Sequence, residues 1–177
     1  MIINRALICF VVIAAFFSRQ PLAADTIRIN ITGKVLAAPC AVDVDSVNQD
    51  VVFGQLLSTD LKTAGSASVW KPFEVKLINC PVATVKATAT FSGTPYLSDN
   101  TLYSNGSASN NATNVAIQLV VDADKNNRKG NGSTMTVNID PVLHAATFPL
   151  AARVISPTGN AGSGTINSAV VMTFTYQ

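Results

Sequence analysis

Residues 26–33 read TIRINITG. Ile27, Ile29 and Ile31 alternate with Arg28, Asn30 and Thr32, and a period of two with β-branched residues means a half-buried strand. Gly33 and Val35 continue the isoleucine face. The run from Ile27 to Cys40 would reach ~45 Å if fully extended. A usual strand covers about 17–20 Å. Either the run bends between two sheets, or its first half pairs with something else, because an extended segment can add a strand to another molecule's sheet edge.

Upstream of this stretch the pattern changes. Met1–Arg5 carries one positive charge, and Ala6–Phe17 (ALICFVVIAAFF) is an unbroken apolar run. Ser18–Ala24 follows, with Pro21 and a small-residue end. This is the layout of a secretory signal peptide over residues 1–24, cleaved after Ala23 or Ala24. The apolar run is too short to cross about 30 Å of hydrocarbon. Arg5 and Arg19 leave with the signal, so the 12 basic residues fall to match the 10 acidic ones. A formal charge near zero leaves no role for steering by net charge and no basic stripe for nucleic acid. Cys9 leaves too. Cys40 and Cys80 remain, and an even count in an exported chain reads as one disulfide. Closing that loop stabilises the fold by roughly 4 kcal/mol on the chain-entropy model.

Downstream, strands dominate. Val51–Leu57 is a second apolar run. Phe73, Val75 and Leu77 alternate with Glu74 and Lys76. Val85, Ala87, Ala89 and Phe91 alternate with Lys86, Thr88 and Thr90. Val115, Ile117, Leu119 and Val121 form another stripe, and Met135, Val137 and Ile139 a shorter one. Phe148–Ile155 reads as a strand whose Pro149 confines its start to an edge or a bulge. The last strand carries Val170, Met172, Phe174 and Tyr176 on one face. Ser92–Asn114, Asp124–Ser133 and Ser156–Gly164 are rich in turn residues, and the second of these reads as a hairpin connection. Ser58–Ser68 supports at most a turn or two of helix, capped by Ser58 or Thr59. Charged residues make up only 12% of the chain, which excludes a coiled coil and a disordered chain. Seven or more short strands without a long helix indicate one antiparallel sandwich.

Catalytic and metal chemistry finds little support. His144 is the only histidine, and no nucleophile elbow accompanies it, so it reads as a surface or strand-end residue. A zinc site would compete with the disulfide for both cysteines. Asp122-Ala-Asp124-Lys-Asn126-Asn127 begins like a calcium loop, but Asn127 stands where glycine is needed and Ser133 where glutamate is needed. It reads as a solvated hairpin. Trp70 is the single tryptophan and reads as a core residue. No catalytic residue, metal, cofactor or small-molecule substrate is assigned.

Several segments together carry a resemblance. They are the N-terminal stripe ending in Gly33-Lys34-Val35, then Pro39-Cys40, then Ala64-Gly65-Ser66-Ala67-Ser68-Val69-Trp70. Asn79-Cys80-Pro81, Phe148-Pro149-Leu150 with Arg153, Gly164-Thr165-Ile166 and the penultimate Tyr176 follow in order. In this order and spacing the chain resembles the type 1 fimbrial pilins of the chaperone–usher pathway in Gram-negative bacteria. The Ala64–Trp70 and Asn79-Cys80-Pro81 segments look most like the small tip-adaptor subunit.

The resemblance implies an all-β, incomplete immunoglobulin-like sandwich over residues 37–177 that lacks its last strand, preceded by a donor-strand extension over residues 25–36. Ile27, Ile29, Ile31 and Gly33 would be the donor residues. The acceptor groove and chaperone-binding strand would involve Gly164, Val170, Met172, Phe174, Tyr176 and Gln177. Cys40 and Cys80 match the family disulfide. Implied partners are neighbouring pilins joined head to tail, a periplasmic chaperone and an outer-membrane usher. The implied place is the cell surface, reached through the periplasm. A major rod pilin of the same fimbria is the alternative rank. A carbohydrate-binding adhesin is the alternative class, disfavoured because adhesins carry a separate lectin domain and lack a donor extension. Thr94–Thr113 and Asp122–Lys129 match no family signature.

Overall fold

A computed structural model of the chain describes residues 27–35, 38–97 and 99–177. The expected signal peptide, Thr26, Leu36 and Ala37 lie outside the described residues. The chain divides into two units, residues 1–34 and 35–177, and each is taken by itself.

In the first unit, residues 27–34 carry no strand. Ile27, Ile29 and Ile31 are 86%, 77% and 90% exposed. The expectation of a half-buried strand is therefore corrected for the chain on its own. Alternation sets which face is apolar, but a strand also needs a neighbour to complete its ladder.

The second unit is a sandwich of two antiparallel sheets, with ten strands among the described residues. The larger sheet holds β1 (Ala41–Val42), β2 (Lys71–Ile78), β4 (Pro95–Tyr96), β5 (Asp99–Ser104), β6 (Ala116–Val121), β7 (Asp124–Arg128) and β9 (Ala146–Ile155). Its order is β1-β2-β9-β6-β5-β4, with β7 also on β6. The smaller sheet holds β3 (Lys86–Gly93), β8 (Thr134–Asn138) and β10 (Val170–Tyr176), ordered β10-β3-β8. Among the described residues, helix is confined to α1 (Val44–Val47) and a 3-10 turn at Ser58–Leu61. The Asp43 carboxylate caps α1 by accepting from the Asp45 amide at 3.0 Å. The 3-10 turn begins after Leu57, with no side-chain cap, so neither Ser58 nor Thr59 has the capping role expected of it.

The core lies between the sheets. Val75, Leu77, Ile117, Leu119, Phe148, Leu150 and Val154 face in from one side. Ala87, Ala89 and Phe91 on β3 meet them, each fully buried. Val85 is 59% exposed and precedes the strand. The Phe148 and Phe174 rings bridge the two layers at a centroid distance of 5.4 Å.

Four strands depart from the sequence reading. β9 runs in the middle of its sheet, between β2 and β6, although it contains Pro149. The Pro149 carbonyl accepts the Asp122 amide at 3.1 Å, so the proline's donor-less nitrogen faces the same side. The β6 ladder has just ended there, at Val121 opposite Leu150. The missing N–H therefore costs no ladder bond. β4 and β5 fall inside the turn-rich Ser92–Asn114, and β7 inside Asp124–Ser133. β5 pairs β6 in regular register, while the registers of β4 on β5 and of β7 on β6 each shift once, where bulges absorb the poor strand formers. The tight hairpin turn is Asp122-Ala123, because Val121 pairs with Asp124. Asn131-Gly132, with Gly132 at φ +81°, instead carries the chain from one sheet to the other. The hairpin is not wholly solvated either. Lys129 is buried, with its Nζ donating to the Thr134 carbonyl at 2.7 Å. The Lys129 carbonyl accepts the buried Tyr103 hydroxyl at 3.0 Å.

Candidate functional site

β10 bonds β3 on one side only, so its other edge is free. Across from that edge lies the apolar run Val51–Leu57, which forms no regular element. Residues 50–56 donate no backbone hydrogen bond to, and accept none from, the backbone of any described residue. Between these two bare edges runs a groove. One part, of about 610 Å³, is walled by Val51, Val52 and Phe53 on one side and by Val170, Met172 and Phe174 on the other. Its floor is Phe73, Val75, Ile117, Leu119, Leu150 and Ala152. A second part, of about 820 Å³, shares Val51, Val52, Phe53 and Ile166 with the first. It continues past Leu56 and Leu57 to Gly162 and Gly164.

The walls are poorly covered. No residue of β10 is fully buried, and its inward side chains are all half-buried. Val52 is 75% and Leu57 67% exposed. A strand laid in the groove would find unpaired backbone on both sides, at the usual spacing of about 4.8 Å, and apolar side chains beneath.

The end of the groove is fixed by a hydrogen-bonded seam. The Thr165 amide donates to the Asn110 carbonyl and the Ala112 amide to the Thr165 carbonyl, both at 2.9 Å. The Asn105 amide nitrogen donates to the carbonyls of Ala112 and Thr165 at 3.0 and 2.9 Å. Gly164 lies in this seam, ahead of the final strand, which starts at Val170. It lies at φ +154°, where a Cβ would run into the Ala112 nitrogen and the Asn110 carbonyl. That close approach requires glycine.

Residues 29–177 match the family described as Fimbrial protein. The chain belongs to this family. FimG of Escherichia coli K12 is 39% identical over 93% of this chain and 92% of its own. The fimbrial subunit type 1 of Klebsiella pneumoniae is 33% identical over 98% of each. The P pilus rod subunit PapA shares the fold at a TM-score of 0.65, with 20% identity over 79% of this chain and 100% of its own. The chain is thus a pilin subunit of chaperone–usher fimbriae with an immunoglobulin-like fold, from a family of structural proteins.

Within this fimbrial subunit the remaining sequence-marked residues separate. Cys40 and Cys80 form the disulfide, which ties the start of the sandwich to the end of β2. Tyr176 directs its hydroxyl toward the Cys40 carbonyl at 3.5 Å, and burial raises its pKa. The Gln177 backbone extends the β10–β3 ladder by bonding Lys86. Neither Tyr176 nor Gln177 is among the residues lining the groove. Open space surrounds Gly33. Trp70 is not a core residue. It stacks on the outer face of the larger sheet, with the Arg153 guanidinium 4.3 Å and the Lys125 Nζ 5.5 Å from its ring centroid. Arg153 in turn donates from Nε to Gln118 at 2.7 Å. Lys125 also holds the Asp122 carboxylate. His144 sits in the turn before β9 at φ +50° and accepts the Cys80 amide through its carbonyl at 2.9 Å.

The wall Val51–Leu57 and the floor residues escaped the sequence reading as parts of a site. The available signal was an apolar run of strand length with no polar face.

Proposed function

We propose that this pilin polymerises by donor-strand exchange and serves as a minor tip adaptor, linking an adhesin to the rod. The observation that carries the reading is the groove with bare backbone on both walls. The exposed Ile27, Ile29 and Ile31 stripe of another subunit is the occupant with matching chemistry. Gly33 would allow close backbone approach within the groove. Burying three isoleucines would contribute ~5–9 kcal/mol per joint at about 1.5–3 kcal/mol each, besides the new ladder bonds. The joint is head to tail, so it propagates. An orphaned groove is an aggregation hazard before assembly. A periplasmic chaperone would cover it first, holding the Val170–Tyr176 strand, and an outer-membrane usher would pass the subunit to the cell surface. The adaptor rank rests on the Ala64–Trp70 and Asn79-Cys80-Pro81 segments. It is supported by an identity to FimG of 39% against 33% to the Klebsiella fimbrial subunit.

The test is a melting curve of the chain lacking residues 24–33, with and without a peptide of that sequence. The peptide is expected to raise the melting temperature by tens of degrees. A truncated chain that melts high and ignores the peptide would mean a sandwich complete by itself. Abundance in sheared fimbriae checks the rank: an adaptor is present about once per fibre, a rod subunit dominates.

A further inference from the structure

The end of the sandwich where the chain enters carries an apolar patch that the groove does not use. Two turns build it, Pro81–Thr84 and Asp140–Ala145. The Cys80 amide donates to the His144 carbonyl, and the Ile139 amide to the Val85 carbonyl, both at 2.9 Å. The two turns therefore sit side by side. The Thr84 hydroxyl reaches the Ala38 carbonyl at 3.4 Å, which places the incoming chain beside them. Val82 is 84%, Val142 82%, Leu143 73% and Val85 59% exposed.

These side chains are held in place. The Asp140 carboxylate accepts the amides of Val142 and Leu143 at 2.8 and 2.9 Å. The Thr84 amide closes the other turn on the Pro81 carbonyl at 2.9 Å. Rigid turns that present valine and leucine to water fit a docking surface better than a solvated loop.

We propose that this patch is a second contact with the subunit that takes up residues 27–33, a contact that sets the angle between neighbouring subunits. The inference rests on the donor-strand reading above. The tether names the occupant. Only six residues separate Gly33 from Cys40, and an extended chain of that length spans at most about 25 Å. Whatever molecule holds the isoleucine stripe is therefore brought against this end of the sandwich, and an apolar surface is what it meets.

The experiment uses the full chain. Hydroxyl-radical labelling of Val82, Val142 and Leu143 is compared between polymer and peptide-filled monomer. Labelling is expected to fall at least fivefold in the polymer. A V142D/L143D variant should still form polymers that resist detergent, with a fibre persistence length at least halved by electron microscopy. Its monomer melting temperature should be unchanged, since both side chains lie outside the core. Equal labelling in polymer and monomer, or unaltered fibre stiffness in the variant, overturns the docking surface while leaving donor-strand exchange intact. A wild-type chain that forms no detergent-resistant polymer and, once truncated, gains no stability from the 24–33 peptide removes both.

Discussion

β9 and β10 are similar strands with opposite fates. Both alternate apolar with smaller or polar residues, and both send a phenylalanine into the same inter-sheet contact. β9 has a ladder on each side, and Phe148, Leu150 and Val154 are fully buried. β10 has one ladder, and its inward Val170, Met172, Phe174 and Tyr176 stay half-buried. Burial is thus set by the neighbours a strand is given rather than by its own pattern. The smaller sheet has edges at both β10 and β8, and the apolar groove lies along the β10 edge.

The largest test of that contrast is a pair of truncations. Phe148→Ala should cost about 3–5 kcal/mol, as for a fully buried aromatic. It should cost that with or without the 24–33 peptide, measured by denaturant unfolding. Phe174→Ala should cost about half as much in the free chain and approach the Phe148 value once the peptide is bound. Equal costs in the free chain would mean that the β10 side is already closed.

Gly164→Ala comes next. The new Cβ meets the seam at Asn110–Ala112 in a backbone conformation that side chains rarely adopt, at a cost of about 1–3 kcal/mol. Because Gly164 also lines the groove, peptide affinity should fall along with stability. Stability loss with unchanged affinity would separate the seam from the groove.

The tyrosines give the smallest and finest comparison. Burial pushes the Tyr103 phenol from 10.0 up to about 12, and burial raises that of Tyr176 on the open side as well. A folded value above the unfolded one means that the native state keeps its proton longer. Between pH 10 and about 12 the unfolded chain ionises at this residue while the folded chain does not, so stability falls as pH rises through that window. Tyr103→Phe should flatten this alkaline loss. Near neutral pH it should cost about 1 kcal/mol for the hydrogen bond to Lys129. Ultraviolet titration of Tyr103→Phe and Tyr176→Phe variants should show Tyr176 ionising first. The reverse order would mean that the β10 side is the better sealed.

Much of the fold was legible because periodicity reports which face of a strand is apolar. β2, β3, β6, β8, β9 and β10 all lie where alternation puts them. β4, β5 and β7 were not legible, since Pro95, Asp99, Asn100, Asp124 and Asn126 disfavour strands, and only pairing makes them strands, β5 and β7 on β6 and β4 on β5. Trp70 was misplaced for a related reason. Its size argues for a core, but it stands just before β2, where a cation–π stack with Arg153 and Lys125 covers it.

The sequence by itself determined the surplus apolar stripe at Ile27–Ile31, the disulfide pair and the sandwich class, because each is written in local spacing or composition. The open slot beside β10 was decided only by the tertiary structure. A missing neighbour leaves no mark on a strand's own residues. It becomes visible only when the ladders are laid side by side and one edge, with the bare run Val51–Leu57 across from it, is left without a partner.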